Sequence, residues 1–129
     1  MFENLHEHLD MYCERTSAAF WAEPVNALTN LAFVLAGLWG VWAVRRRGTD
    51  FFSELLCWWA VAIGVGSFLF HTFATRLTMW ADILPIAGFT LVYSWFNLRR
   101  YIGMGRLPAL AVFVGFYAAA AAIVLLVPY

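Results

Sequence analysis

The stretch VNALTNLAFVLAGLWGVWAV, residues 25–44, carries no charged side chain along its whole length. A helix of about 20 apolar residues spans the roughly 30 Å hydrocarbon core of a bilayer, so this stretch predicts a transmembrane helix. Pro24 precedes it, where a helix loses little by lacking a backbone N–H. The composition agrees, because 64% of the 129 residues are hydrophobic and 12% are charged, whereas soluble domains are roughly 45–50% apolar.

Three further apolar runs follow the first and are separated by short turns that contain arginine. Together the four predicted spans cover about residues 25–44, 51–73, 79–98 and 107–127. A polar segment, residues 1–24, precedes them, and its first ten residues are expected to form an amphipathic surface helix or a frayed terminus. The predicted fold class is all-α, a polytopic membrane bundle of four transmembrane helices over residues 25–129.

The arginines of the connecting loops are unevenly distributed. Three follow the first span and three follow the third: Arg45, Arg46, Arg47, Arg99, Arg100 and Arg106. The loop after the second span holds Arg76 alone. Because cytoplasmic loops carry the excess of positive charge, the first and third loops are expected to be cytoplasmic and both termini extracytoplasmic. A cleavable signal peptide begins with basic residues and continues with an apolar run, whereas residues 1–24 are acidic. The first span is therefore expected to act as the insertion signal.

Net charge and cysteine content indicate which partners and which cysteine bonds to expect. The formal net charge is zero, so no nucleic-acid partner is predicted. Cys13 lies in the polar segment and Cys57 inside an apolar run. A disulfide between them is not expected, and they do not form a C-x-x-C metal pair. The expected surroundings are membrane lipids.

The segment SFLFHTFATRLTMWAD, residues 67–82, brings a serine, a histidine and a carboxylate to the rim of the membrane. Ser67 and His71 are four residues apart and therefore share a helix face. The short turn that follows can bring Asp82 back toward them. Because polar groups are costly to bury in a membrane and mark functional sites there, this cluster is the candidate functional centre.

The residues alone leave three interpretations of the cluster open. It suits a nucleophilic serine with a histidine base, or a metal site that activates a bound water, and a lone histidine can also satisfy a buried helix end without any function. In the metal interpretation His71 is a zinc ligand, Asp82 orients or deprotonates the water, and Ser67 hydrogen-bonds the developing oxyanion. The predicted topology puts Glu14 and Glu23 on the same outer face.

Four motifs occur in order along the chain: YCER, FWAEPVNALTN, GSFLFH and ADILPI. In this order they resemble the alkaline ceramidase family of the CREST superfamily of membrane hydrolases, which also includes the adiponectin receptors. The resemblance extends from about Tyr12 to Pro85, and the YCER form is similar to the bacterial branch. It implies an integral, multi-pass protein of a bacterial inner membrane.

The resemblance implies roles for five residues. The family's S-x-x-x-H motif falls on Ser67 and His71, with His71 as the zinc ligand, and its following aspartate falls on Asp82, the partner of the zinc-bound water. Its N-terminal calcium site matches Glu14 and Glu23. Zn²⁺ and Ca²⁺ are therefore the expected cofactors, with Ser67 and Asp82 as the expected catalytic residues.

The chain departs from the family's pattern in two respects. A further Asn ligand of the calcium site falls near Thr16, and an aspartate of that site falls on Met11, with Asp10 one position away. The family also has seven spans and completes its zinc site with an H-x-x-x-H motif on the last, whereas the remaining histidines here are His6 and His8. Since a catalytic zinc normally has three protein ligands, the chain is expected to be truncated to the first four helices, with an incomplete zinc site.

The function implied by the resemblance is zinc-dependent hydrolysis of a lipid amide bond, with a ceramide-type substrate, and the incomplete zinc site leaves open whether the truncated form is active or inactive. The alternative is a non-catalytic membrane scaffold, or a receptor-like protein of the same superfamily. The scaffold predicts no amide hydrolysis and no effect of Asp82→Asn, and partner binding that survives removal of His71 favours either alternative over the hydrolase.

Overall fold

The computed structural model describes residues 4–48 and 50–126 of the chain. Its α-helices are α1 Pro24–Thr29, α2 Leu31–Arg47, α3 Phe51–Phe73, α4 Arg76–Phe96 and α5 Arg106–Leu126. A π-helical turn, Asn97–Tyr101, continues α4. No β-strand occurs in these described ranges, although an isolated antiparallel bridge joins His8 to Thr75.

Within the described residues, four helical stretches are long and apolar enough to cross a membrane. They are Pro24–Arg47, Phe51–Phe73, Arg76–Tyr101 and Arg106–Leu126. The predicted all-α fold class with four spans is therefore confirmed. The first stretch combines α1 and α2, and the third extends beyond the predicted 79–98 at both ends. The predicted end of the fourth span, residue 127, lies outside the described residues.

Local chemistry sets the two ends of α3. Asp50 caps its start, because its side chain accepts a hydrogen bond from the backbone N–H of Ser53 at 3.0 Å, which satisfies one of the free amides of the first turn. At the other end Ala74 adopts a left-handed conformation with φ of 45°, and its N–H bonds the Phe70 carbonyl at 2.7 Å. Helix α4 begins two residues later, so a tight turn joins the end of α3 to the start of α4.

Backbone hydrogen bonds attach the N-terminal segment to that turn. The N–H of Leu9 donates to the Ala74 carbonyl at 2.7 Å, and the N–H of Arg76 donates to the Glu7 carbonyl at 3.1 Å. An ion pair of 2.6 Å joins the side chains of Arg76 and Glu7 as well. For residues 4–10, the expected surface helix or frayed end is therefore wrong, because pairing with a distant turn satisfies their backbone groups.

Burial is inverted compared with a water-soluble protein. Large apolar side chains such as Leu35, Trp39 and Phe116 are exposed along the helices, as expected where lipid surrounds the protein. The buried polar or charged side chains form a distinct set: Arg15, Glu23, Ser67, His71, Thr72 and Asp82. The interior near the end of α3 is therefore polar, and this is where the candidate site lies.

The chain divides into two compact units, one ending at Phe89 and the other beginning at Thr90. In the first unit, a Cβ added to Gly37 of α2 would lie 2.7 Å from the carbonyl oxygen of Cys57 in α3, so this glycine permits close helix packing. In the second unit, the Tyr117 hydroxyl donates to the carbonyl of Thr90 at 3.1 Å. Every candidate site residue lies in the first unit.

Candidate functional site

Helices α3 and α4 come into backbone contact at Gly66. A Cβ added there would overlap the carbonyl oxygen of Ala81, so only glycine allows the two helices to approach this closely. The next residues of each helix are Ser67 and Asp82, and the Ser67 hydroxyl donates a hydrogen bond to Asp82 Oδ1. These side chains belong to residues that are 6% and 8% exposed. The serine and the aspartate singled out in the sequence thus form a buried pair.

His71 lies one turn after Ser67 on α3 and is also buried. Its Nδ1 lies 2.6 Å from Oε2 of Glu23, the residue immediately before α1. An ionised carboxylate only accepts hydrogen bonds, so Nδ1 carries a proton, and the neutral tautomer with that proton has its lone pair on Nε2. In this tautomer a carboxylate orients a histidine whose other nitrogen can bind a metal.

Arg15 supplies a buried positive charge beside this pair. Its Nε donates to Glu23 Oε1 at 2.5 Å. Its Nη1 donates to the carbonyl of Ser17 and its Nη2 to the carbonyl of His71, both at 3.1 Å. The guanidinium therefore ties the N-terminal segment and the start of α1 to the end of α3, and its charge offsets the buried charge of Glu23.

Burial and hydrogen bonding act in opposite directions on the pKa of Glu23. Burial would raise this pKa, because the charged form loses hydration. Hydrogen bonds from His71, Arg15 and Asn26, together with the charge of Arg15, outweigh burial and hold the pKa of Glu23 below its ordinary value. Glu23 is therefore ionised at neutral pH, as its role of acceptor requires.

Glu14 has a different task, since it caps the start of α1. Its Oε1 accepts the N–H of Val25 at 2.7 Å and its Oε2 accepts the N–H of Asn26 at 3.0 Å. The first N–H groups of a helix have no partner within the helix, so a carboxylate is favourable there. The side-chain amide of Asn26 also donates to Glu23 Oε2 at 3.4 Å. Asn26 therefore links the two glutamates.

The two predicted calcium ligands are thus close together but already occupied by N–H donors. Both oxygens of Glu14 bind backbone amides, and the two oxygens of Glu23 bind Arg15 and His71. Ca²⁺ takes six to eight oxygen ligands and favours free carboxylate oxygens. A calcium ion here would have to displace all of these donors.

The other positions of the expected calcium site do not supply the missing oxygens. Met11 is exposed and has no side-chain oxygen. Asp10 and Thr16 line an open cavity of about 220 Å³, but Arg15 lines the same cavity and its positive charge opposes a second cation. The donor set therefore does not fit a calcium ion, and calcium binding stays a prediction.

For zinc, His71 fits the role of one ligand. Across residues 4–48 and 50–126, no group of three or more His, Cys, Asp and Glu side chains lies close enough to hold a metal ion. A catalytic zinc normally has three protein ligands. The described residues therefore do not form a complete zinc site, and zinc binding also stays a prediction.

Three participants in this network were not predicted from the sequence as site residues. Arg15 was recognisable only as the single cation among the carboxylates of residues 1–24. Asn26 lies near the start of the uncharged span of residues 25–44, where a polar side chain also suits simple helix packing. The ring of Tyr12 lies edge-on to the imidazole of His71, with 4.8 Å between the ring centroids, and no sequence spacing predicts that contact.

Comparison with known proteins gives one family match. The family model described as Ceramidase matches residues 10–128. No curated protein matches the chain, and no solved structure does. The matched range contains the whole buried network and the four membrane-length helices.

Proposed function

Because the chain belongs to the ceramidase family, we propose that it takes part in hydrolysis of the amide bond of a ceramide-type lipid at the cluster of Ser67, His71 and Asp82. The family match supports a hydrolase with a lipid substrate in a membrane. The choice of these three residues rests on their shared burial. The proposal also includes zinc as the metal and an extracytoplasmic position of the cluster in a bacterial inner membrane.

The observation that carries the proposal is the pairing of buried polar groups beside an apolar exterior. Ser67 bonds Asp82 and His71 bonds Glu23, all within the polar interior of an otherwise lipid-facing unit. Removing such groups from water is costly. A membrane protein that retains ionisable side chains in its interior generally uses them for function.

Aromatic side chains beside the cluster suit the approach of a lipid. Phe20 packs edge-on against Phe73 with 5.2 Å between ring centroids, and Trp21 packs against Phe68 at 6.4 Å. Phe20, Trp21 and Phe73 are all exposed. Aromatic rings favour the level of the lipid headgroups, where the amide bond of a ceramide-type lipid also lies.

The proposed chemistry uses the two buried pairs differently. Zinc, which His71 would help to hold, would supply Lewis-acid activation when bound. Asp82 would take a proton from the water that attacks the amide carbonyl and return it to the amide nitrogen as the C–N bond breaks, since a carboxylate is a suitable general base. Ser67 would turn its hydroxyl from Asp82 to the substrate's carbonyl oxygen as negative charge develops there. Glu23 would keep His71 oriented through Nδ1.

Hydrolysis of a ceramide that carries a fluorescent acyl chain tests this function. With excess Zn²⁺ supplied to occupy a weak site, membranes containing the wild-type protein are expected to release the labelled fatty acid, and those containing Asp82→Asn are expected to lose this activity. Asp50→Asn is the matched control, because Asp50 caps the other end of α3 and asparagine caps equally well. Absence of hydrolysis by the wild-type protein, or equal hydrolysis by Asp82→Asn, would contradict the proposal.

A further inference from the structure

We propose that the guanidinium of Arg15 is a built-in cation that takes the place of a calcium ion at the N-terminal acidic pair. The guanidinium contacts three oxygens, namely Glu23 Oε1 and the carbonyls of Ser17 and His71. Carboxylate and carbonyl oxygens are the ligands that Ca²⁺ takes in proteins. Arg15 therefore occupies the kind of oxygen cage that a hard cation would need.

Burial makes this replacement effective. Arg15 is 6% exposed and Glu23 is 2% exposed, so little water screens the charge of the guanidinium. A divalent cation brought to Glu23 would meet a fixed positive charge at close range and would have to break the 2.5 Å ion pair. The side chain is always charged, so no change in conditions near neutral pH frees the cage.

The other half of the acidic pair is committed as well. Glu14 uses both oxygens to cap α1, and moving it toward a metal would leave two helix N–H groups without acceptors. Both glutamates therefore already have hydrogen-bond donors in the place that a calcium ion would take. Side chains of the protein itself therefore hold the N-terminal segment against α3, without an added metal.

The built-in cation also positions the histidine. Arg15 binds the carbonyl of His71, and Glu23 binds the ring of His71, so one guanidinium fixes both the main chain and the side chain of that residue. Arg15 is therefore a positioning residue, because it holds His71 in place through Glu23 and through the backbone carbonyl.

Metal response of the purified wild-type protein gives the first test. In detergent, the melting temperature followed by tryptophan fluorescence is expected to be the same in millimolar CaCl₂ and in EGTA. Tb³⁺, a luminescent substitute for Ca²⁺, is expected to show no tryptophan-sensitised emission that Ca²⁺ displaces. A saturable rise of the wild-type melting temperature with Ca²⁺ that Glu23→Gln abolishes would overturn the proposal.

Variants of Arg15 give the second test. Arg15→Ala empties the cage, so Ca²⁺ should now raise its melting temperature, with affinity gained on the order of tenfold or more once the fixed charge is removed. Arg76→Ala is the matched control, since it removes an arginine whose ion pair with Glu7 is exposed, and it should remain indifferent to Ca²⁺. Equal indifference of Arg15→Ala would overturn the proposal.

A milder change keeps the test decisive if Arg15→Ala does not fold. Arg15→Lys retains the charge but offers a single ammonium in place of the forked guanidinium. Its melting temperature should be below that of wild type and should not change with Ca²⁺. A calcium response in Arg15→Lys would overturn the proposal, because this variant keeps the positive charge. None of these measurements depends on hydrolysis, so the proposed function can fail while this inference holds.

Discussion

Glu23→Gln tests whether burial makes the Arg15–Glu23 pair important for stability. The pair has an N–O distance of 2.5 Å, with side chains that are 4% and 2% exposed. Removing one partner of a buried ion pair leaves the other charge uncompensated and costs about 3–5 kcal/mol. Because glutamine keeps the shape and one acceptor oxygen, we expect the loss in the free energy of unfolding to be near the lower end, about 3 kcal/mol.

Glu7→Gln is the control, because its pair with Arg76 is nearly as short as the Arg15–Glu23 pair and differs in burial. The N–O distance is 2.6 Å, but the side chains are 45% and 47% exposed. Exposed pairs contribute about 0–1 kcal/mol, since water screens them. Unfolding in mixed micelles with increasing SDS, followed by tryptophan fluorescence, measures both variants. Equal losses in the two variants would refute the argument that burial decides the contribution.

Three further predictions follow from the same geometry. Gly66→Ala should push α3 from α4 at the Ala81 carbonyl, cost about 1–3 kcal/mol in SDS unfolding and reduce hydrolysis. Its control, Gly115→Ala, adds a methyl group that meets no described atom within 4 Å, and a stability loss as large as that of Gly66→Ala would contradict the explanation. Metal analysis of the purified chain should find weak or substoichiometric zinc, and stoichiometric zinc that is lost on His71→Ala would contradict this. Tyr117→Phe removes the hydroxyl that bonds both the Thr90 carbonyl and the Ser94 hydroxyl and should cost about 0.6 kcal/mol per bond in SDS unfolding, whereas unchanged stability would show that these bonds contribute nothing.

The spans could be predicted because bilayer thickness imposes a length on any predominantly apolar helix that crosses it. Residues 25–44 and the three later runs each have the required length, so each span can be recognised from its own residues alone. The proximity of Ser67 and Asp82 could also be anticipated, since helix periodicity and a short turn limit where a side chain on α4 can lie. The Gly66 contact then brings the two side chains together, and glycine in a membrane helix is a recognisable signal of such a contact.

The partners of Arg15 could not be predicted in this way. Its ion pair reaches eight residues along the chain, and its bond to the His71 carbonyl reaches 56 residues. Neither contact follows a helical or strand period, so both depend on how the N-terminal segment folds back over α3. The same holds for residues 4–10, whose hydrogen bonds to the α3–α4 turn are equally non-local.

The two buried carboxylates of the network differ in how their charge is balanced. Glu23 faces a guanidinium and a histidine ring, so its negative charge is compensated and its oxygens are committed. Asp82 receives a hydrogen bond from Ser67, and a hydroxyl contributes a proton but no charge. The compensated charge and committed oxygens of Glu23 therefore suit a group that holds the structure together, whereas the hydrogen bond described for Asp82 comes from an uncharged side chain.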